Sequence, residues 1–161
     1  MSHNRCGLNR FTTAETTMQR LVPAFSLCLF LSLIIPTQAQ DNQTSTDASA
    51  VRATVTNYIE AYYTGDALRM ERTLHPHYLK HMIHGDIPMR DKTGPQMVQE
   101  LRSQGVPDLP QTQRTEQVTV LDVAGTIASA KLVTPGWVDY MTLSKVDGEW
   151  KILSVVQRID N

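Results

Sequence analysis

Asp139 is the residue whose chemistry stands out most in this sequence, because a carboxylate interrupts an otherwise apolar, strand-like segment. Trp137 and Met141 lie beside it. Burial among such side chains raises the pKa of a carboxyl group, so that the group can accept and release a proton near neutral pH. Asp139 is therefore the first candidate catalytic residue. The alternative is a structural aspartate that accepts hydrogen bonds from Arg114 or from backbone N–H groups.

Histidines are concentrated in one short stretch. Four of the five lie within ten residues, at His75, His77, His81 and His84. Imidazole is the natural acid or base near neutral pH and the commonest metal ligand. In a strand, His81 shares a face with Leu79 and Ile83, which predicts that His81 points to the apolar side. His81 is the second candidate for proton transfer, and no metal site is predicted. The alternative is a polar strand edge with solvated histidines.

Aromatic residues supply the candidates for ligand binding: Tyr58, Tyr62, Trp137 and Tyr140. A tyrosine hydroxyl in an apolar pocket can polarise a carbonyl group of a bound molecule. The alternative for each tyrosine is that the ring packs in the core while its hydroxyl reaches water.

Composition excludes several function classes. The 161 residues include 15 Lys+Arg and 16 Asp+Glu, a formal net charge of -1, so no basic surface indicates a nucleic-acid partner. Both cysteines, Cys6 and Cys28, precede the predicted domain, which excludes disulfides and thiolate catalysis there. Neither a nucleophile elbow nor a phosphate or dinucleotide fingerprint occurs, and no cofactor is predicted.

The beginning of the chain predicts a signal peptide over residues 1–39. Residues 21–36 are apolar, Arg20 precedes them, and small residues at 37 and 39 match a cleavage site after Ala39. The apolar run is shorter than the roughly 20 residues that span a bilayer. We therefore expect a secreted or periplasmic protein with no membrane attachment after cleavage, with Met18 as a possible true start. A retained membrane anchor is the alternative.

The rest of the chain predicts helices first and a sheet afterwards. Residues 40–48 are polar and predict a flexible linker, followed by a domain over 49–161. Apolar residues at helical spacing predict a helix over 50–63, capped by Asp47 or Ser49, and Asp66 caps a second helix ending at Leu74.

The second half supplies most of the predicted sheet. We predict a strand over 77–83, a loop over 85–91, a third helix between Gly94 and Gly105, and strands over 117–123 and 126–135. A hairpin over 138–159 turns at Asp147-Gly148, a pair typical of type I′ turns. Helices followed by an antiparallel sheet indicate an α+β domain.

This order, together with four short motifs, resembles the nuclear transport factor 2-like fold and, within it, the branch named for lumazine binding. The motifs are T-G-D at 64–66, L-H-P at 74–76, V-D-Y-M-T-L at 138–143 and V-D-G-E-W-K-I at 146–152. The resemblance covers roughly residues 49–159. It implies a cone-shaped roll in which three helices pack on a curved, mainly antiparallel sheet around an apolar cavity. It also implies a homodimer through the outer face of the sheet.

Three functional hypotheses follow from the resemblance. The first is an exported, cofactor-free protein that binds a small apolar or aromatic molecule in the cavity. The second is an isomerase, dehydratase or cyclase, since related isomerases and cyclases use an aspartate in the cavity as their base. The third is an accessory dimer without a ligand.

Overall fold

A computed structural model of the chain describes residues 38–160, with side chains described from Asn42 onward. The predicted signal peptide lies outside the described residues, except for its last two positions. The helices are α1 (Gln38–Thr64), α2 (Ala67–Thr73) and α3 (Gly94–Gln104). The strands are β1 (Leu74–His84), β2 (Ile87–Thr93), β3 (Gln117–Ala124), β4 (Ile127–Val133), β5 (Trp137–Val146) and β6 (Glu149–Ile159).

Helix α1 is longer than its apolar pattern predicts. The predicted stripe is confirmed, with Val51, Val55 and Ile59 almost completely buried. However, the helix begins at Gln38, so the prediction of a flexible linker over 40–48 is wrong, and Asp47 and Ser49 lie inside the helix. The polar composition of this segment gave no indication of a tertiary contact. In the structure, the Asp47 carboxylate accepts hydrogen bonds from Trp150 Nε1 at 3.1 Å and Lys145 Nζ at 2.5 Å.

The turn between α1 and α2 follows the predicted chemistry. Gly65 has a φ of 70°, which glycine adopts without strain. Asp66 caps α2, because its Oδ1 accepts a hydrogen bond of 2.9 Å from the Arg69 backbone N–H. The helical hairpin is therefore confirmed.

The prediction of a loop over residues 85–91 is wrong for the second half of this segment, which is part of a strand. Residues from Ile87 form β2, which pairs antiparallel with β1 after a tight turn at Gly85. Six of the seven β2 residues are exposed, so the strand carries no alternating burial pattern and depends on backbone pairing with β1.

The six strands form one sheet in the order β2-β1-β6-β5-β4-β3. All neighbours are antiparallel except β1 and β6, which are parallel, and β3 to β6 form the predicted meander. Asp147 and Gly148 have φ values of 50° and 83°, positive at both positions as a type I′ turn requires. The described chain thus has the predicted fold class: three helices on a curved, unclosed, mainly antiparallel sheet.

The two faces of the sheet have different environments. The inner face, which packs on the helices, contributes fully buried side chains such as Leu132, Leu143 and Ile152. The outer face carries exposed side chains, including Tyr140 and Val156. Within residues 38–160, no helix is both long enough and apolar enough to cross a bilayer.

Candidate functional site

A cavity of about 260 Å³ lies between the helices and the inner face of the sheet. Its apolar lining comes from all three helices and two strands: Ile59, Met70, Met82, Met97, Leu101 and Ile159. The volume is slightly below the 300–1,000 Å³ typical of pockets for drug-sized molecules, so the cavity suits a smaller ligand.

One wall of the cavity is aromatic. The rings of Tyr62 on α1 and Trp137 at the start of β5 meet edge to face, with centroids 5.6 Å apart and an interplanar angle of 87°. This arrangement is favourable for aromatic pairs and holds both rings in place. Burial also raises the pKa of the Tyr62 hydroxyl. Tyr62 and Trp137 both line the cavity, and their assignment as ligand-binding residues stays a prediction.

The buried end of the cavity is polar. Lys80 on β1 is 5 % exposed, and its Nζ donates a hydrogen bond of 3.2 Å to the Tyr58 hydroxyl. The Tyr58 oxygen in turn lies 3.4 Å from the Tyr78 oxygen, in a contact where either hydroxyl can donate. Burial raises the pKa of both tyrosines, so both hydroxyls stay protonated at neutral pH.

Asp139 lies behind Lys80, on the inner face of β5 and fully buried. Lys80 Nζ is 3.6 Å from Asp139 Oδ2, close enough for an ion pair but too long for a hydrogen bond. Neither carboxylate oxygen has a hydrogen-bond partner of normal geometry in the described part of the chain. Lys80 lines the cavity, whereas Asp139 is not one of its lining residues.

Burial acts in opposite directions on the two members of this pair. Desolvation raises the pKa of the Asp139 carboxyl, against the opposing effects of Lys80, Gln157 and Trp137. Desolvation lowers the pKa of the Lys80 ammonium, against the opposing charge of Asp139. Because one pKa is lowered and the other is raised, the two pKa values lie closer together than those of an exposed lysine and aspartate. A proton can therefore pass between the two groups more readily.

Arg114, the partner predicted for a structural Asp139, contacts other groups. Its guanidinium donates to the backbone carbonyls of Leu109, Pro107 and Tyr63, at 3.1, 3.2 and 3.3 Å. Asp139 thus has Lys80 as its ionic partner.

Two predicted site residues lie on the outer face. His81 points away from the cavity, and its Nδ1 lies 2.7 Å from Asp91 Oδ1, so the prediction that it points to the apolar side is wrong. The β1 residues that face the helices are Tyr78, Lys80 and Met82, because packing buries that side of the strand. Tyr140 is 53 % exposed, since it follows Asp139 and the strand alternates. Its ligand-binding assignment is therefore also wrong.

Lys80 is the functional residue that the sequence reasoning missed. The signal was present, because Tyr78, Lys80 and Met82 share one face of β1, and a lysine between two apolar side chains is an unusual occupant of a buried face. The prediction instead selected His81, one of several nearby histidines, which lies on the opposite face of β1. Within residues 42–160, no three His, Cys, Asp or Glu side chains are placed to hold a metal ion.

The outer end of the cavity is charged and reaches solvent. Lys92 on β2 forms an ion pair with Glu100 on α3, and both are partly exposed. Gln104 lies beside them at the end of α3. The cavity therefore runs from a solvated, charge-balanced rim to the buried Lys80–Asp139 pair.

Solved structures share this architecture at low sequence identity. A nuclear transport factor 2-like protein of unknown function from Shewanella baltica OS155 is 17 % identical, with a TM-score of 0.60 over 73 % of this chain and 96 % of that one. A second such protein, from Silicibacter pomeroyi DSS-3, is 19 % identical, with a TM-score of 0.60 over 72 % and 98 %. A ketosteroid isomerase-like protein from Erwinia carotovora atroseptica is 10 % identical, with a TM-score of 0.50 over 71 % and 97 %.

These likenesses identify the fold. No curated protein matches the chain. A family model described as "Putative lumazine-binding" matches residues 46–157, which span α1 from its buried Asp47 to the cavity residue Gln157 on β6. The match covers more than half of the chain and includes most of the residues that line the cavity. The chain therefore belongs to the family described as "Putative lumazine-binding", and it has the nuclear transport factor 2-like fold.

Proposed function

We propose that this protein binds a small apolar or aromatic molecule in the cavity between its helices and the inner face of its sheet. The observation that supports the proposal best is the combination of an aromatic wall, Tyr62 and Trp137, with a buried polar end formed by Lys80 and Tyr58. Apolar cavities with a few convergent polar groups are the usual form of small-molecule sites.

The charged residues at the cavity limit the kind of ligand that it favours. Lys80 is balanced by Asp139 and Lys92 by Glu100, so the cavity carries no net charge when all four groups are ionised. A charged ligand would leave one uncompensated charge in a poorly solvated space, which is unfavourable. The cavity therefore favours a neutral molecule that places a ring against Trp137 and a polar atom near Lys80 Nζ and the Tyr58 hydroxyl.

Calorimetric titration with a panel of small neutral aromatic compounds tests this proposal. Lumazine, for which the family is named, is the first probe. Replacing Tyr62→Ala removes half of the aromatic wall and is expected to weaken binding about fivefold, since a lost ring contact costs roughly 1 kcal/mol. Tyr140→Ala is the matched control, because this exposed ring lies on the outer face. Failure of every probe to bind, or equal effects of the two variants, would contradict the proposal.

A second candidate function is proton transfer on a bound carbonyl compound, as in an isomerase or dehydratase. It is favoured by one observation: the fully buried Asp139 carboxylate has no hydrogen-bond partner of normal geometry among the described residues, and it lies 3.6 Å from a lysine that lines the cavity. Its test is exchange of α-protons of small ketones in D₂O, followed by NMR. Exchange that is catalysed by the native chain and lost in Asp139→Asn would support it; equal rates would exclude it.

We also propose that the protein is exported. This rests on Arg20, the apolar run over 21–36 and the small residues at 37 and 39. Fusion of residues 1–48 to a reporter, with sequencing of the new amino terminus, tests it. A reporter retained uncleaved inside the cell would contradict it.

A homodimer through the outer face is the corresponding proposal for assembly. Neighbouring strands align the side chains of Asp91, His81, Val156, Tyr140 and Lys131 in one row across this face. The centre of the row is apolar and exposed, while its ends are acidic and basic. A two-fold axis through the centre would place each acidic end near the basic end of a second copy, as self-complementary interfaces require.

A further inference from the structure

The Lys80 amine is placed to react with a ligand as well as to bind one. It lies at the buried end of the cavity, among side chains that line the same space. Asp139 Oδ2 is 3.6 Å from Nζ, and the hydroxyl of Tyr58, which lines the cavity, is 3.2 Å from Nζ. A nucleophile, a carboxyl group and a hydroxyl donor thus converge in a space with little access to water.

We propose that Lys80 captures a small aldehyde or ketone as an imine in this cavity. The proposal rests on the proposed function, because the carbonyl compound must first enter the cavity as a ligand. The substrate class it names is a neutral carbonyl compound, with the carbonyl group at the Lys80 end and the apolar or aromatic part against Trp137.

The step balances with the groups present. The reactive state of the pair is the neutral one, with Lys80 as an amine and Asp139 as a carboxylic acid. Nζ attacks the carbonyl carbon, the C=O π bond opens, and the Tyr58 hydroxyl donates a hydrogen bond to the oxygen. One amine proton shifts to that oxygen, Asp139 gives its proton to Nζ, and Nζ passes a second proton to the same oxygen, so that the C–O bond breaks and water leaves. The products are one water, an iminium on Lys80 and the Asp139 carboxylate.

The charge pattern of the product resembles that of the resting pair. An iminium replaces the ammonium at the same nitrogen, and the carboxylate beside it remains its counter-ion. No new uncompensated charge is therefore buried, which removes the main electrostatic obstacle to a cation in this place. The lowered pKa of Lys80 and the raised pKa of Asp139 both favour the neutral state that begins the reaction.

The other lysines in the described chain lack this arrangement. Lys92, Lys145 and Lys151 form ion pairs with Glu100, Asp47 and Glu149, and these three lysines are more exposed than Lys80. Lys131 lies over the Tyr140 ring on the outer face, with Nζ 5.4 Å from its centroid. Lys131, Lys145 and Lys151 serve as internal controls, because these three do not line the cavity and each would trap a carbonyl compound only at the rate of an ordinary surface amine.

Borohydride trapping with benzaldehyde tests the proposal on the native full chain. Borohydride reduces an imine to a stable benzylamine, and peptide mass spectrometry locates the added benzyl group. We expect Lys80 to be labelled at least about tenfold faster than Lys131, because only Lys80 of the two lines the cavity, where a bound carbonyl group is held beside the amine. Lys131→Met should leave the labelling of Lys80 unchanged. The double variant Lys80→Met with Asp139→Leu, which leaves no unpaired charge, should abolish the fast labelling.

Benzyl alcohol separates this inference from the proposed function. It has the same ring but no carbonyl group, so it can bind only without reaction. Calorimetric binding of benzyl alcohol together with equal, slow labelling of all lysines by benzaldehyde would overturn the imine and leave the binding function intact. If neither compound enters the cavity and Lys80 is not labelled, both proposals fail.

Discussion

Lys80 Nζ lies 3.6 Å from Asp139 Oδ2, and this buried contact joins β1 to β5 across β6, the strand between them. The contact is an ion pair that is too long for a hydrogen bond. Either charge alone would be unfavourable at this buried position, because it would be desolvated without a partner. Removing one partner of a buried pair leaves an uncompensated charge and typically costs about 3–5 kcal/mol.

Single and double replacements of this pair should therefore differ in stability. We expect Lys80→Met alone to lower the free energy of unfolding by about 3–5 kcal/mol, and the double variant with Asp139→Leu to lose clearly less. Urea denaturation of the native chain, the single variants and the double variant measures the difference. If the double variant is destabilised by the sum of the singles, the two residues do not act as a pair.

Asp47 should make stability depend on acid pH. Hydrogen bonds from Lys145, Gln43 and Trp150 lower its pKa from 3.8 to about 2. Because the pKa of Asp47 is lower in the folded state, its ionised carboxylate stabilises the fold. This stabilisation is complete above pH 3.8 and is lost as pH falls toward about 2. Asp47→Asn should flatten the fall in urea midpoint over this window. Asp108→Asn, at an exposed loop residue, is the control, and an equally steep fall in both variants would contradict the assignment.

Gly65 should tolerate no side chain. A Cβ at this residue would lie 2.7 Å from Val106 N and 2.8 Å from Gly105 C, both backbone atoms, and its φ of 70° disfavours other residues. We expect Gly65→Ala to destabilise the protein by at least about 1–3 kcal/mol, the usual cost of a strained backbone conformation. Gly136→Ala faces open space and should be nearly neutral, as measured by thermal unfolding. Equal melting temperatures for the two variants would show that the α1–α2 turn can move away from Val106.

The proposed dimer should depend on Tyr140. Introducing Tyr140→Glu places a charge in the apolar centre of the outer-face row, and we expect it to convert a dimer to a monomer in light scattering after size exclusion. Leu68→Glu is the matched control, because Leu68 is exposed on α2, away from the sheet. A native chain that is already monomeric would contradict the interface.

Structural elements that are determined by residues close together in the sequence were predictable from the sequence. The Asp66 cap, the Asp147-Gly148 turn and the buried stripe of α1 depend on residues adjacent along the chain, and the structure has all three. The N-terminal part of α1 and strand β2 were not predictable in this way. Asp47 is ordered by Trp150, distant in sequence, and β2 by its hydrogen bonds to β1.

The candidate site was predicted in part, for a related reason. Trp137, Asp139 and Tyr62 were selected because they are conspicuous, and they lie on or directly behind the cavity lining. Lys80 and His81 are adjacent, so the choice between them depended entirely on which face of β1 the helices cover. Alternation gives two faces but does not say which is inner when both carry one polar and two apolar side chains.

The sheet does not close on itself, so β2 and β3 each present a free edge that could recruit strands from other molecules into aggregates. On β2, Pro88 has no N–H to donate, and Arg90, Asp91 and Lys92 add charge. On β3, the pairing with β4 is irregular between Val120 and Asp122, and Arg52 from α1 donates to the Val118 carbonyl. Both edges therefore carry features that disfavour fibril growth.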